Sequence, residues 1–557
     1  MLPLLLFLDK PLHIDDPVYV QVAQQVLLDP ADFYGRELNW SGSTAPLAVE
    51  MQNPPLAGFA LAAGGAWLGF DERALHERVL IASLATAASL ALIAHLLEIP
   101  VAAAVLLGCW SPVLFVSSTT LMAEPWLLAT FTGAVAAWLY GHATSRARWL
   151  WLSGALAALS FLAKFPGIAL VPLLFVHGLW RRRRLGGWAL PLLVPLGVAL
   201  GYELYVQSLY GVAPFAQAAG YAQSRRAHGG ASALERSVVG LAFLGGLQLP
   251  AALLSCLCAG RRSAARWAGI AAALALGLLV AGGITSLAVR DADGIRILSL
   301  CTSALFLAAG MQILWLCARE LWLRRDAATA LLSLWIAGFF LYAVAFNWTI
   351  NARAFAPAAP AVALLAARAW TERCSRGGGA ARGYTRALLA GSCAASLALS
   401  LALAHADRAH ARTAQRAARE LTKRYANPDR EVWFLGAWGF QHYAENSGAH
   451  KVDRGRTLLQ PGAVLIVSRG DLGRLRAPPE RLARVIESAA YPAACCVATM
   501  AASLGAGFYS ELSGPLPYAF GRAAAERYDV LEIRAALRLP AQPDRRELDA
   551  RRRRSRD

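Results

Sequence analysis

Over its first four hundred positions the chain repeats apolar runs long enough to cross a membrane, about one every 25 to 30 residues. Twelve such runs can be placed, at 75–97, 101–118, 124–142, 149–163, 166–180, 188–206, 236–258, 267–288, 297–317, 327–346, 354–370 and 387–404. A further run, Leu2 to Leu8, is too short for a bilayer core of roughly 30 Å, and it has neither a basic start nor a cleavage site of a signal peptide. This spacing excludes a disordered chain and an ordinary soluble enzyme. Composition agrees: charged residues are 16% and hydrophobic residues 57% of 557, where a soluble domain carries about 25% charged. The expected fold is therefore an all-α polytopic membrane protein of about 12–13 transmembrane helices.

The loops between the runs alternate in charge. Arg146 and Arg148, Arg181 to Arg184, Arg261, Arg262 and Arg266, Arg319, Arg324 and Arg325, and Arg373, Arg376, Arg382 and Arg386 occupy every second loop. The positive-inside rule assigns that set to the cytoplasm. The other set then faces outward: residues 9–74, the turns near 119–124 and 164–166, 207–235, 289–296, 347–353, and everything after 405. The same loops account for the net charge of +18, so no nucleic-acid partner is expected. The nine Cys are scattered, mostly inside apolar runs, and read as small core residues.

From about 405 the pattern changes. Glu431 to Gly436, Ala463 to Ser468 and Tyr528 to Arg534 read as short strands, with helix-like stretches between them such as Pro479 to Ala489. The expected organisation is a transmembrane domain over 1–404, a small α/β extracytoplasmic domain over 405–540 and a charged, disordered tail over 541–557.

The chemistry-bearing residues gather on the outward side of this layout. The first outer loop holds His13-Ile14-Asp15-Asp16-Pro17-Val18-Tyr19. Val18, Val22 and Val26 then share a helical face, which predicts an amphipathic helix at the membrane surface. Asp16 before Pro17 has the form of a helix cap. Capping leaves Asp15 unexplained, and a carboxylate beside a helix N-terminus is favoured in its ionised form. Asn53-Pro54-Pro55-Leu56 ends the loop. Glu124 precedes Pro125 in the second outer loop, where helix capping is the plainer reading. Lys164 is one of only four Lys among 54 basic residues, and it lies at the end of an apolar run. An ionisable group there is a functional candidate, with snorkelling to the surface as the plainer reading. Arg78 and Arg353 complete the set. Carboxylates and cations from five segments on one face suit a reaction at a lipid phosphate. Cations would hold the phosphate as a leaving group, and a carboxylate would deprotonate the acceptor.

In this order and on this face, the Asp-Asp pair, Asn-Pro-Pro-Leu, Glu124, Leu162-Ala163-Lys164 and Arg353-x-x-x-Pro357-x-x-Pro360 resemble the GT-C glycosyltransferases. The group they most resemble is that of protein O-mannosyltransferases (dolichyl-phosphate-mannose-protein mannosyltransferases) and aminoarabinose transferases. The resemblance covers about residues 10–370. It implies a polyprenyl-phosphate-sugar donor, a lipid, glycan or protein acceptor, and inversion at the anomeric carbon, with Asp15 at the position of the proposed base. Asp16 and Glu124 are further catalytic candidates. Lys164, Arg353, Arg78, Asn53 and Tyr19 are expected to contact substrate. The family's usual His-Pro-Pro stands here as Asn53-Pro54-Pro55, and its Arg-Tyr as Arg353-Ala354, which leaves the sugar open. The chain has no strong metal-ligand spacing, so no cofactor is called for and a divalent cation is left open. The expected location is the cytoplasmic (inner) membrane.

A transporter or flippase of a lipid-linked or envelope substrate is the alternative reading. It calls for charges near the bilayer midplane and an internal hydropathy repeat, whereas here the charges sit at the outer ends. A reporter fused after residue 184 should give a cytoplasmic signal and one after residue 430 an external signal. An external signal at 184 would overturn the orientation and the shared-face argument with it.

Overall fold

The computed structural model describes residues 2–51, 53–229, 231–280, 286–291, 294–376, 379–470, 480–493 and 495–541. The expected charged tail thus lies almost wholly outside the described residues. The chain forms two compact units that interleave along the sequence. One comprises Met1–Lys10, Gln52–Ala409 and Ala494–Ala524, and the other Pro11–Met51, His410–Ala493 and Ala525–Asp557.

The first unit is a multi-pass helical membrane domain. Among the described residues six helices are long and apolar enough to cross a bilayer by themselves, and a bent pair brings the number to seven. Most of the other expected spans are shorter helices or broken ones. The run at 101–118 divides into Val101–Cys109 and Pro112–Ser117, because Pro112 cannot donate to the preceding turn and starts a new one. The run at 236–258 divides into Ala233–Leu247 and Leu249–Cys258, bent by 80°, with Pro250 in the first turn of the second helix. Close helix crossings are set by small residues. A Cβ on Gly245 would stand 1.9 Å from the Phe306 carbonyl oxygen, and one on Gly310 2.1 Å from that of Leu241. The helices Ala233–Leu247 and Ile297–Arg324 therefore touch backbone to backbone, as small residues permit inside membranes.

The helix Gly379–Tyr425 has 47 residues, or about 70 Å at 1.5 Å per residue. It runs without a break through residue 404, where a domain boundary was expected. Just inside its first-unit portion lies Asp407, fully buried, 2.7 Å from the buried Lys10 Nζ. Lys10 also donates to the Thr119 carbonyl at 2.9 Å. Asp407 accepts from Thr499 Oγ1 at 3.0 Å and from the Tyr509 hydroxyl at 2.7 Å. Residues 494–524 belong to the first unit for this reason, although they were expected in the tail domain. Further bonds hold them there: Ala352 N–H to the Phe508 carbonyl at 2.8 Å, Glu511 N–H to the Ile350 carbonyl at 2.8 Å, and the Tyr518 hydroxyl to the Gly246 carbonyl at 3.0 Å.

The second unit is built on a five-stranded mixed sheet, in the order His450–Lys451, Val432–Leu435, Val464–Ser468, Glu526–Ile533, Ala483–Tyr491. Val432–Leu435 pairs in parallel with both neighbours, and Glu526–Ile533 pairs antiparallel with both of its own. Leu435, Val452, Leu465, Leu531 and Ile533 form its core. The three strands read from the sequence are present. The helix expected at Pro479 to Ala489 is instead the edge strand Ala483–Tyr491, exposed along most of one side. Cross-strand pairing with Glu526–Ile533 overrides local propensity there. The unit also takes in the first outer loop. Its helix Asp16–Leu28 is buried at most positions, including Tyr19, Val22, Ala23 and Gln25, and packs against the helix Trp438–Asn446. The expected surface amphipathic helix is therefore a core helix.

Removing one partner of a buried ion pair leaves the other charge uncompensated and costs roughly 3–5 kcal/mol. Asp407→Ala should lower the thermal unfolding midpoint of the detergent-solubilised protein sharply, whereas the double change Lys10→Met with Asp407→Leu should recover most of the loss. A single variant as stable as wild type would show that the pair does not anchor the 494–524 segment.

Candidate functional site

Three of the expected residues meet in the first unit. Glu124 is the first residue of the helix Glu124–Thr144, with Pro125 in its first turn. Its side chain is 1% exposed. Lys164 Nζ lies 2.6 Å from Glu124 Oε1, and Arg353 Nε lies 3.9 Å from the same oxygen. Burial of a lone carboxylate is costly unless it is paired, and here two cations share it. The carboxylate is sealed, whereas the Lys164 and Arg353 side chains are 18% and 14% exposed. The accessible atoms of the three thus belong to the two cations. Glu124 Oε2 is buried and takes no hydrogen bond among the described residues.

Local sequence explains how each cation is held. Lys164 ends the helix Ala147–Ala163 in extended backbone, and Phe165-Pro166-Gly167 turns the chain, with Gly167 N–H donating to the Lys164 carbonyl at 2.8 Å. A Cβ on Gly167 would stand 2.2 Å from the Ser160 carbonyl. Only glycine lets this turn pack onto the helix that carries Lys164. Arg353 lies in the short helix Ala352–Phe355, whose cap is the Asn351 side chain accepting from Ala354 N–H at 2.9 Å. Its guanidinium carbon is 5.7 Å from the centre of the Tyr509 ring, and Nη1 is 2.8 Å from Met122 Sδ. Tyr509 in turn donates to Asp407. The buried Lys10–Asp407 pair therefore positions the ring against which Arg353 lies.

The other expected residues lie elsewhere. Arg78 is buried and donates from Nη1 to the Leu61 carbonyl at 2.8 Å and from Nη2 to the Gly69 carbonyl at 2.6 Å. Those bonds tie the helix Glu72–Leu96 to the segment before it. Asn53 is half-buried at the turn before Leu56–Ala62. Asp15, Asp16 and Tyr19 belong to the second unit. The cap position there is Asp15, not Asp16, and the Asp15 side chain makes no capping hydrogen bond. Asp16 is buried, and its Oδ2 accepts from His13 N–H at 2.9 Å. Asp15 is the more accessible of the two, half-buried at the start of the helix. Among the described residues no group of three or more His, Cys, Asp or Glu side chains is arranged to hold a metal ion.

Lys10, Asp407 and Tyr509 are absent from the sequence-derived set. An ionisable residue at the end of an apolar run was the available signal for Asp407, and the scarcity of Lys was the signal for Lys10. Nothing local marks Tyr509, because it arrives from a segment 102 residues beyond Asp407.

No protein-family model and no curated protein matches the chain. Among solved structures it is similar to the Archaeoglobus fulgidus oligosaccharyltransferase tethered to an acceptor peptide, with 13% identity and a TM-score of 0.47 over 79% of this chain and 60% of that one. The chain thus spans about three fifths of that archaeal protein's length. It is also similar to ArnT from Cupriavidus metallidurans bound to undecaprenyl phosphate, with 13% identity and a TM-score of 0.46 over 98% of this chain and 97% of that one.

The segment carrying Tyr509 should respond to pH through Glu511. Burial pushes the Glu511 carboxyl up to about 7, and the Arg236 guanidinium 3.5 Å away draws it only partly back. A raised folded-state pKa favours the protonated form, so the stability it gives is full below about 4.5 and is lost as pH rises through about 7. Hydrogen exchange of residues 499–520 should quicken between pH 5 and pH 8 beyond the intrinsic rate change, and Glu511→Gln should flatten that dependence. An unchanged profile in the variant would remove Glu511 as the cause.

Proposed function

We propose that the chain is a membrane glycosyltransferase that moves a sugar from a polyprenyl phosphate to an acceptor on the outer side of the cytoplasmic membrane, with inversion. The observation that carries this reading is the pair of partly exposed cations, Lys164 and Arg353, anchored on one sealed carboxylate. Two partly exposed cations held side by side are suited to a lipid phosphate, which must be bound in the donor and stabilised further as it departs. The ordered motifs that resemble the GT-C group support the same reading.

In the proposed reaction the acceptor hydroxyl gives its proton to Asp15, and its oxygen forms a bond to the anomeric carbon. The bond from that carbon to the phosphate oxygen breaks, and polyprenyl phosphate leaves with its negative charge held by Lys164 and Arg353. A phosphate is already a competent leaving group, so the site needs a base more than an acid. Glu124 is sealed and engaged by Lys164, which suits a positioning residue for the cations better than a base. Asp16 is held by the His13 backbone, and Asp15 stands at the position that the resemblance to the GT-C group gives to the base. Arg78 serves the architecture in this scheme.

The roles separate in a lipid-linked sugar transfer assay on purified protein. Asp15→Asn should lower turnover by about 10²–10⁴-fold, the range for a lost general base, with donor binding intact. Asp16→Asn should be milder. Lys164→Ala should weaken donor binding by roughly 10–100-fold, as expected for a lost charge-assisted contact of about 1.5–3 kcal/mol, and Lys164→Arg should recover part of it. Glu124→Gln should resemble Lys164→Ala in raising the donor requirement. Full activity in both Asp variants would remove the proposed base, and unchanged donor binding in Lys164→Ala would return that residue to snorkelling.

A further inference from the structure

A cavity separate from the Glu124 cluster lies among four helices of the first unit. The helix Ala359–Arg376 begins just after Arg353 and has 18 residues, about 27 Å of rise. Near its other end Arg373 and Glu372 line a cavity of about 360 Å³, within the range of small-molecule sites. Three more helices complete it: Leu249–Cys258, Arg261–Val280 and Ile297–Arg324.

Its charges do not cancel internally. Arg262, Arg266, Arg319 and Arg373 line it against Glu320 and Glu372. Glu320 is taken by Arg319 at 2.6 Å and by Arg324 at 2.9 Å, and Glu372 is paired with Arg324. Arg262, Arg266 and Arg373 have no carboxylate within ion-pair distance among the described residues. Arg266 and Arg319 lie 5.9 and 5.7 Å from the Trp315 ring, which fixes two guanidiniums beside the cavity through cation–π contact. Arginines scattered on a cytoplasmic loop would need no explanation. Here they come from three helices and converge on one hollow.

The floor has a different chemistry. Gln312 is 3% exposed and lines the cavity. Its Nε2 donates to Ser255 Oγ at 2.9 Å. The Ser255 hydroxyl hydrogen is spent on the Ala252 carbonyl at 2.9 Å, so Ser255 can only accept from Gln312. That fixes the amide orientation and leaves Gln312 Oε1 as a buried acceptor with no partner among the described residues. A buried polar atom left unpaired is destabilising. A ligand that fits both ends carries an anionic phosphate and, beyond it, a hydroxyl donor.

We infer that this cavity binds a glycerophosphate group, a phosphodiester or phosphate with free glycerol hydroxyls, as in an anionic phospholipid head group. The phosphate lies among Arg262, Arg266 and Arg373, and a glycerol hydroxyl donates to Gln312 Oε1. A soluble glycerol phosphate would satisfy the same polar groups, and only competition tells the two sources apart. The inference does not depend on the reaction proposed above, since binding alone is read.

The test is native mass spectrometry of the full chain in detergent, titrated with dioleoyl phosphatidylglycerol, phosphatidylmethanol and phosphatidylcholine. Phosphatidylglycerol should bind at least tenfold tighter than phosphatidylcholine, and severalfold tighter than phosphatidylmethanol, which has the charge without the hydroxyls. Arg262→Gln with Arg373→Gln should lower phosphatidylglycerol affinity at least tenfold, whereas Arg146→Ala, an exposed Arg remote from the cavity, should not. Gln312→Leu should erase the preference over phosphatidylmethanol. Resistance to millimolar glycerol 3-phosphate would identify the lipid source, and displacement by it the soluble one. Equal binding of phosphatidylglycerol and phosphatidylcholine by the wild type, which needs no variant to fold, would overturn the inference. So would an unchanged affinity in the double Arg variant.

Discussion

A carboxylate with 1% side-chain exposure at the start of a helix must be neutralised, and the cluster is organised around how Glu124 meets that demand. It draws Lys164 and Arg353 from two distant segments to one oxygen. The cations are drawn inward by the carboxylate but remain partly accessible. A single sealed acid thereby brings together two long side chains that would otherwise extend toward water. Each cation has a nitrogen directed at a fixed point inside the protein.

A second buried acid supports the first. Asp407 gathers Lys10, Thr499 and Tyr509, and Tyr509 lies beside Arg353. The two carboxylates thus act in series, one holding the segment that carries the ring and the other holding the guanidinium that meets it. In a low-dielectric interior each such bond is strong when complete and costly when broken. That asymmetry makes the geometry of Arg353 depend on residues remote in sequence, including the tenth residue of the chain. It also explains why residues 494–524 leave the sheet unit after Tyr491 and return to it at Glu526. Their polar partners are in the helical unit.

Much of this was legible in the sequence, for identifiable reasons. Apolar run length and alternating Arg loops report directly on bilayer thickness and charge asymmetry, so a helical membrane domain followed by a strand-bearing tail could be read without tertiary information. Glu124, Lys164 and Arg353 could be singled out because an ionisable group beside an apolar run is expensive. Their mutual contact could not, because a pairwise distance is a tertiary property. The misreadings have the same origin. Ala483–Tyr491 has a sequence that tolerates a helix, and only pairing with Glu526–Ile533 makes it a strand. Asp16–Leu28 has an apolar face like that of a surface helix, and tertiary packing, including that on Trp438–Asn446, buries it. The cap moved from Asp16 to Asp15 because Pro17 is accepted at either of the first two helical positions.

Arg78 shows where charge reasoning ends. By type and position it belongs with Lys164 and Arg353, yet two backbone carbonyls, those of Leu61 and Gly69, already occupy its terminal nitrogens. The difference between an architectural arginine and an anion-binding one is the acceptor inventory around it. Arg78 has carbonyl acceptors at both terminal nitrogens, whereas Arg262 and Arg373 line a cavity with no carboxylate of their own within ion-pair distance among the described residues. The helix Ala359–Arg376 thus follows the Arg353 that meets a sealed carboxylate and ends at a hollow lined by Arg373. In the first case one acid gathers two cations, and in the second four arginines line a hollow with only two carboxylates.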